Sequence, residues 1–400
     1  MSQLPSDEHA AAGGTDARAA SPLLSVVIPA YDRMTLCREA VDSVRVAIGS
    51  LREAVNGVEA EIIVMDDASP QPLRSELPRD VRVERIARSG MPGHVRNEGV
   101  HRARGRLVAF LDSDDLWHEQ KLLRQLALLE WVSAETRGDN EAGGPGHAFA
   151  GETGRTGARM AHCRERWLRE GTELSQKGQR HRRRGDIFED AVVKCIVGPS
   201  TFIVERSLFR SFGGYRPDLE IAEDYELMLR MLAFEPIEYV NEPLVDKRDH
   251  PGPQLSHTYE HIEGFRIRAL GDVLADILEA RQAPESRNRA VPAIDAVTSL
   301  HTRGPRGRGG TSARSGRRKY DPDTRERDGT SFRTRWGKYD PASLSAARVL
   351  TVAREYARKC TIFAAGAAKR GRTDDAHVHE RASDFVQRMC EDLAEEAAAR

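Results

Sequence analysis

Three carboxylates fall within four residues where an apolar run stops: Leu107-Val108-Ala109-Phe110-Leu111 is followed by Asp112, Asp114 and Asp115. Like charges at that spacing repel, and a divalent cation relieves the repulsion. Oxygen ligands from one or two aspartates suit Mg²⁺ or Mn²⁺, whose remaining positions go to water and substrate phosphates. An ion held in this way stabilises a departing diphosphate. The plainer alternative is an acidic first turn for the helix spelled by "HEQKLLRQLALLE", since carboxylates favour the positive end of a helix dipole. Asp66-Asp67 closes another apolar run in the same manner, where Asp67 could equally cap a turn before Pro70.

The elements that must position these residues read as alternating strands and helices. "LLSVVIPAYDR" is a buried strand stopped near Pro29, and a helical pattern runs from Met34 to Ala47 with Leu36, Cys37, Ala40, Val41 and Val44 on one face. "AEIIVMDDASP" and "VRVERI" are the second and third strands, and "GHVRNEGVHRARG" is a helix with Gly105 as its expected C-cap. "RLVAFLDSDD" is the fourth strand and "HEQKLLRQLALLEWV" an amphipathic helix. Such alternation predicts an α/β fold with a doubly wound, mostly parallel sheet covered on both faces. Ligands of these sheets bind beyond the carboxyl ends of the strands. Pro29-Ala30-Tyr31-Asp32, Asp66-Asp67 and Asp112-Ser113-Asp114-Asp115 would meet at that one edge.

The chain has 400 residues and a net formal charge of −1, so no global field points to a polyanionic partner. A mean hydropathy of −0.56 implies polar segments beside a globular core. Five scattered cysteines without a CxxC pair imply reduced thiols in a reducing compartment. The first 22 residues lack the basic start and apolar core of a secretory signal, and no run reaches the ~18 apolar residues of a membrane span. The expected location is therefore cytoplasmic, with peripheral contact at the cytoplasmic membrane face left open.

The expected organisation is a disordered tail (1–22), the first half of the α/β domain (23–132), a flexible Gly-rich loop (133–160) and the second half of that domain (161–282). An Arg/Gly-rich insertion (283–343) and a C-terminal helical segment (344–400) follow. The insertion holds Lys-Tyr-Asp-Pro twice, at 319–322 and 338–341. In the last segment Val349, Ala353, Tyr356, Cys360 and Phe363 form one apolar stripe, expected to pack on the core rather than on an anionic membrane.

In their order along residues 23–250, "SVVIPAYDR", "IIVMDDAS", "VRNEGVHRARGRLVAFLDSDD", "GPSTFIVERSLFRSFGGY" and "AEDYELMLR" resemble the family 2 glycosyltransferases, which have the GT-A fold. The resemblance, extending to about residue 280, implies a non-processive, inverting transferase using Mn²⁺ or Mg²⁺. Its donor would be a nucleotide sugar carrying UDP, GDP or dTDP. Its acceptor would be a hydroxyl on a glycan, glycolipid or other precursor, lipid-linked ones included. By the same resemblance Pro29 and Tyr31 flank the base, Asp67 and Arg96 contact base or ribose, and Asp112 and Asp114 form the DxD motif. Asp112 faces the ribose, Asp114 holds the metal and Asp115 supports them; His250 either completes the metal site or is a plain surface histidine. Asp224, beside Glu223, is the general base. That role has physical sense, because inversion needs one ionised carboxylate to take the acceptor's proton. Arg248-Asp249 before His250, and Met228 in place of a tryptophan, depart from the family pattern.

The QxxRW motif of processive members is absent, which favours transfer of a single sugar. "PAYDRMTLC" lacks the glycine-rich loop of sugar nucleotidyltransferases. "HRRRG" at 181–185 reads as a solvated basic loop, with an anionic acceptor as the alternative. Two other classes stay open: a non-catalytic nucleotide-sugar scaffold, and an RNA-binding protein acting through 303–318. Nucleic acid is disfavoured because only Tyr320 lies close for stacking.

Overall fold

The computed structural model describes residues 22–131, 157–176, 183–249, 262–281 and 336–399. Almost all of the expected N-terminal tail, most of the Gly-rich loop, His181-Arg182, His250 and the 303–318 tract lie outside the described residues. In chain order the elements are β1 (Leu24–Ala30), α1 (Met34–Ala54), β2 (Ala60–Asp66), β3 (Arg82–Arg85), α2 (Pro92–Arg102), β4 (Leu107–Phe110), β5 (Leu116–Trp117), α3 (Lys121–Leu128) and β6 (Met160–Arg169). Then come β7 (Thr172–Glu173), α4 (Phe188–Val193), β8 (Ile203–Glu205), α5 (Arg206–Ser211), α6 (Glu223–Leu232), β9 (Glu238–Asp249), α7 (Ile262–Ala280), α8 (Ala346–Lys369) and α9 (Thr373–Ala399).

The strands form one sheet in the order β3-β2-β1-β4-β8-β6-β9-β5, with β7 hanging on β6. Strands β3, β2, β1 and β4 are mutually parallel, as expected of the first half. Antiparallel pairs enter with β8, after which β6 and β9 run parallel to each other. Because side chains alternate along a strand, both faces of the parallel half are apolar. Val27, Ile63, Met65, Val108 and Phe110 face a core shared with α2, α6, α7 and α8. Val26, Ile28, Ile62, Val64 and Ala109 face the other core, under α1 and α3. This is the expected α/β architecture with a C-terminal helical extension.

Several boundaries differ from expectation for identifiable reasons. Helix α1 runs on to Ala54 because Ile48 and Leu51 continue the stripe four and seven residues after Val44. Helix α2 ends at Arg102 with an extended Ala103, so Gly105 is no C-cap. Gly105 lies against β1, where a Cβ would come within 2.5 Å of the Ser25 nitrogen. Helix α3 starts late because Leu116 and Trp117 are drawn into pairing with Asp246 and Val245. The insertion expected over 283–343 stops short of 343. Trp336 is fully buried with its indole N–H donating to Asp276 (3.0 Å), and Tyr339 stacks on Phe212 at 4.0 Å. The apolar stripe of α8 is buried as expected, from Val349 to Phe363.

Candidate active site

Parallel pairing sets Ala30 beside Asp66 and Val27 beside Phe110, so the ends of β1, β2 and β4 share one rim. At the β1–β2 end Asp66 is buried, accepting from Ser69 N–H (2.8 Å) and Arg85 (2.8 Å). Ser69 Oγ accepts the N–H of Asp32, which sits at φ +50° and turns the chain across the rim. Pro29 is half-buried there, while Tyr31 is exposed with the Arg88 guanidinium 3.5 Å from its ring centroid. Asp67 is buried and accepts from Arg88, from Ser89 N–H (2.7 Å) and Oγ (3.1 Å), and from Gly90 N–H (2.9 Å). Its carboxylate therefore clasps the 88–90 loop.

At the β4 end the chain turns through Asp112–Asp115, closed by Asp115 N–H to Asp112 O (3.0 Å). Ser200 binds this turn from the second half of the molecule. Its hydroxyl donates to Asp115 (2.6 Å) and accepts the Asp112 N–H (3.1 Å). Arg96 of α2 is buried and forks between Asp112 (2.6 Å) and Glu223 (2.6 Å), tying the DxD turn to the start of α6. Arg33 pairs with Asp114, and Arg248 donates to the Asp114 carbonyl (2.8 Å). Next to Glu223, Asp224 accepts from Tyr225 N–H (2.7 Å), and the Cys195 thiol stands 3.7 Å from its other oxygen.

The charges at this rim are unevenly balanced. Burial alone would raise the Asp112 carboxyl, but Arg96, Lys247 and Arg33 outweigh it and hold its pKa below the ordinary value. Burial pushes Asp115 up to about 8; Lys247 pulls it down, and Asp112 and Asp114 push it further up. Burial likewise raises Glu223 to about 7 despite Arg96, with Asp224 adding to the rise. Lys247 on β9 shows the converse: burial works against its charge, yet Glu165, Asp115, Asp112 and Asp224 raise its pKa. Perturbed groups of both signs gathered at the strand ends make this rim the candidate functional site.

The structure thus brings Asp112, Asp114, Asp115, Arg96, Glu223 and Asp224 together and sets Pro29, Tyr31 and Asp67 at the adjoining strand ends. Arg96, expected at base or ribose, engages two carboxylates instead, and Glu223 is bound to it. Ser200, Arg33, Arg88 and Lys247 were not anticipated as site residues. Serine in "GPST" carries no charge to draw notice, and Lys247 lies in a strand whose polar sequence masks it.

The residues fit a divalent ion as part of a cage. Asp112 and Asp114 are part-exposed at the rim, with side chains 24% and 20% accessible, and would offer hard oxygen ligands beside the Arg96 and Arg33 that pair with them. Among the described residues no group of three or more His, Cys, Asp or Glu closes a metal site by itself. Substrate phosphates and water would have to supply the remaining ligands.

Residues 25–148 match the model of glycosyl transferase family 2. The succinoglycan biosynthesis protein ExoO of Rhizobium meliloti is 34% identical over 124 residues, covering 30% of this chain and 33% of that protein. The putative teichuronic acid biosynthesis glycosyltransferase TuaG of Bacillus subtilis is 31% identical over 114 residues, covering 27% and 42% respectively. The chain spans less than half the length of either relative. Among solved structures, S. aureus TarS 1–349 in complex with UDP-GlcNAc aligns with a TM-score of 0.49 at 15% identity, over 89% of this chain and 90% of that one. The likeness to glycosyl transferase family 2 thus falls on residues 25–148, the stretch that carries β1 to β4 and the strand-end carboxylates Asp67, Asp112, Asp114 and Asp115.

Proposed function

We propose that this chain moves one sugar from a nucleoside diphosphate sugar to an acceptor hydroxyl, with inversion at the anomeric carbon. The observation that carries the reading is the Arg96 fork: one buried guanidinium joins Asp112 of the family domain to Glu223, the neighbour of Asp224. Donor and acceptor machinery are thereby locked at one distance. Pro29 and Tyr31 would flank the base, with Asp67 released from its loop to reach base or ribose. Asp224, which carries no ion pair among the described residues, takes the acceptor's proton as that oxygen attacks the anomeric carbon. The bond to the diphosphate oxygen breaks, and the diphosphate leaves with the electron pair. Mn²⁺ or Mg²⁺ on Asp114 and Asp112, with His250 as a further candidate ligand, would supply positive charge to that leaving group.

The two relatives are named for succinoglycan biosynthesis and, putatively, teichuronic acid biosynthesis, which supports a glycan, glycolipid or other polysaccharide precursor as acceptor. All five cysteines are free, as suits a cytoplasmic site of action. No helix among the described residues is long and apolar enough to cross a membrane, and contact with its cytoplasmic face would be peripheral. A thermal-shift panel of UDP-, GDP- and dTDP-sugars with Mn²⁺ tests the reading. One nucleotide should raise the melting temperature, and Asp114→Asn should lose the Mn²⁺-dependent part of the rise. No shift with any of them would overturn it.

A further inference from the structure

Strands β6 and β9 run in the same direction as β4 and continue beyond the rim where β4 ends. Their projecting ends carry Glu165, Trp167 and Lys247, and the register sets Trp167 directly opposite Lys247. Three observations single out this patch. Trp167 is one of the few large apolar side chains left exposed, at 46%. Its indole N–H donates to one oxygen of Glu165 (2.6 Å), which fixes the ring, and the Lys247 ammonium stands 5.7 Å from the ring centroid. The second oxygen of Glu165 and all three donors of Lys247 have no hydrogen-bond or ion-pair partner among the described residues.

The polar groups flank a gap. A Cβ placed on Gly198 would be 3.6 Å from Glu165 Oε2 and 3.6 Å from Lys247 Nζ, so the missing side chain leaves space that both address. Three residues before Gly198, Cys195 touches Asp224. The electrostatic pull of Asp224 on Lys247 agrees with that proximity. An exposed aromatic face beside a carboxylate oxygen and an ammonium with no hydrogen-bond partner among the described residues suits a ligand with one apolar C–H face and a rim of hydroxyls.

We infer that Trp167, Glu165 and Lys247, around the gap at Gly198, form an acceptor subsite for a carbohydrate ring that stacks on Trp167 and presents a hydroxyl to Asp224. This rests on the transferase reading and narrows its acceptor to a glycan. Glu165 accepts from one ring hydroxyl and Lys247 donates to another, leaving a third for the proton transfer.

The test uses the full chain saturated with UDP on a printed array of bacterial glycans, with the nucleotide-sugar thermal shift measured in parallel. Wild type should bind a defined set of glycans. Trp167→Ala should bind them about tenfold more weakly, Trp167→Phe should restore most of the loss, and Gly198→Val should block binding. The thermal shift should persist in all three variants. Equal glycan binding by wild type and Trp167→Ala overturns the subsite. So does a wild type that responds to nucleotide sugar but binds no glycan. A wild type that responds to no nucleotide sugar fails at the earlier step and removes the transferase reading itself.

Discussion

Arg96 and Arg216 are both buried guanidiniums shared between two carboxylates, but their surroundings differ. Arg216 bonds Asp218 (2.9 Å) and Asp272, and Arg268 adds a second guanidinium to the same two acids (2.9 Å to Asp218, 3.8 Å to Asp272). Two cations meet two anions. Burial would raise the Asp218 carboxyl, yet the two arginines more than reverse it and hold it well below the ordinary range. At the rim, Asp112, Asp114, Asp115, Glu223 and Asp224 face Arg33, Arg96 and Lys247, and two of the five carboxyls are pushed up to about 7 and 8. Buried charge that serves only the fold is balanced within the chain. At the rim, burial leaves Asp115 and Glu223 raised, the pattern expected where a ligand or an ion arriving with it would add positive charge.

The largest test of that contrast removes each arginine in turn. Arg216→Met should cost about 3–5 kcal/mol of unfolding free energy at neutral pH, because Asp272 has no solvent to fall back on. Arg96→Met should cost less, about 1–3 kcal/mol, since Asp112 is part-exposed and Glu223 can take a proton. Chemical denaturation of both variants measures the gap, and equal losses would erase the distinction between the two networks.

Asp224 sharpens the contrast on the functional side. It carries no ion pair among the described residues, so Asp224→Asn should leave stability within about 0.5 kcal/mol of wild type. Turnover should fall by about 10²–10⁴ with the nucleotide-sugar thermal shift intact. Unchanged turnover would remove it as the base.

The two halves of the molecule were unequally legible in the sequence. Strands β1, β2 and β4 are short apolar runs buried on both faces, and their ends carry the aspartates, so the shared rim could be placed from pattern alone. Strands β6 and β9 read as polar because their pairing is partly a ladder of ions, with Arg166 on Asp246 (2.7 Å) and Arg169 on Asp249 (2.9 Å). A charged ladder has no apolar period to detect, and with it went Glu165, Trp167 and Lys247. Trp336 and Tyr339 were hidden for a related reason: their neighbours are Arg- and Gly-rich, and only Asp276 and Phe212, far away in sequence, show that they are anchored. Arg96, Asp112 and Glu223 are each legible as site residues, but the pairing among them is not. The fork to Glu223 spans 127 residues, and no local pattern encodes it.

The smallest effect concerns protons. Glu223 titrates at about 7 in the folded chain against an ordinary 4.5, so between those values the folded state holds more of a proton than the unfolded state does. Stability from this group is therefore greatest at low pH and declines as pH rises through that window, by at most about 1.4 kcal/mol per unit. Glu223→Gln keeps an oxygen for Arg96 and removes the titration. Asp115, which has the same sign, and His379, whose pKa burial lowers, remain in both proteins and cancel in the difference. Unfolding free energies at about pH 5 and about pH 7.5 should then diverge, wild type losing ground to Glu223→Gln as pH rises. A second network supplies the control, since Asp218 is ionised in both states across that range and Asp218→Asn should shift the curve without changing its slope. If wild type and Glu223→Gln run parallel, the charge deficit does not reside at Glu223, and the rim is as balanced there as the Arg216 network beneath it.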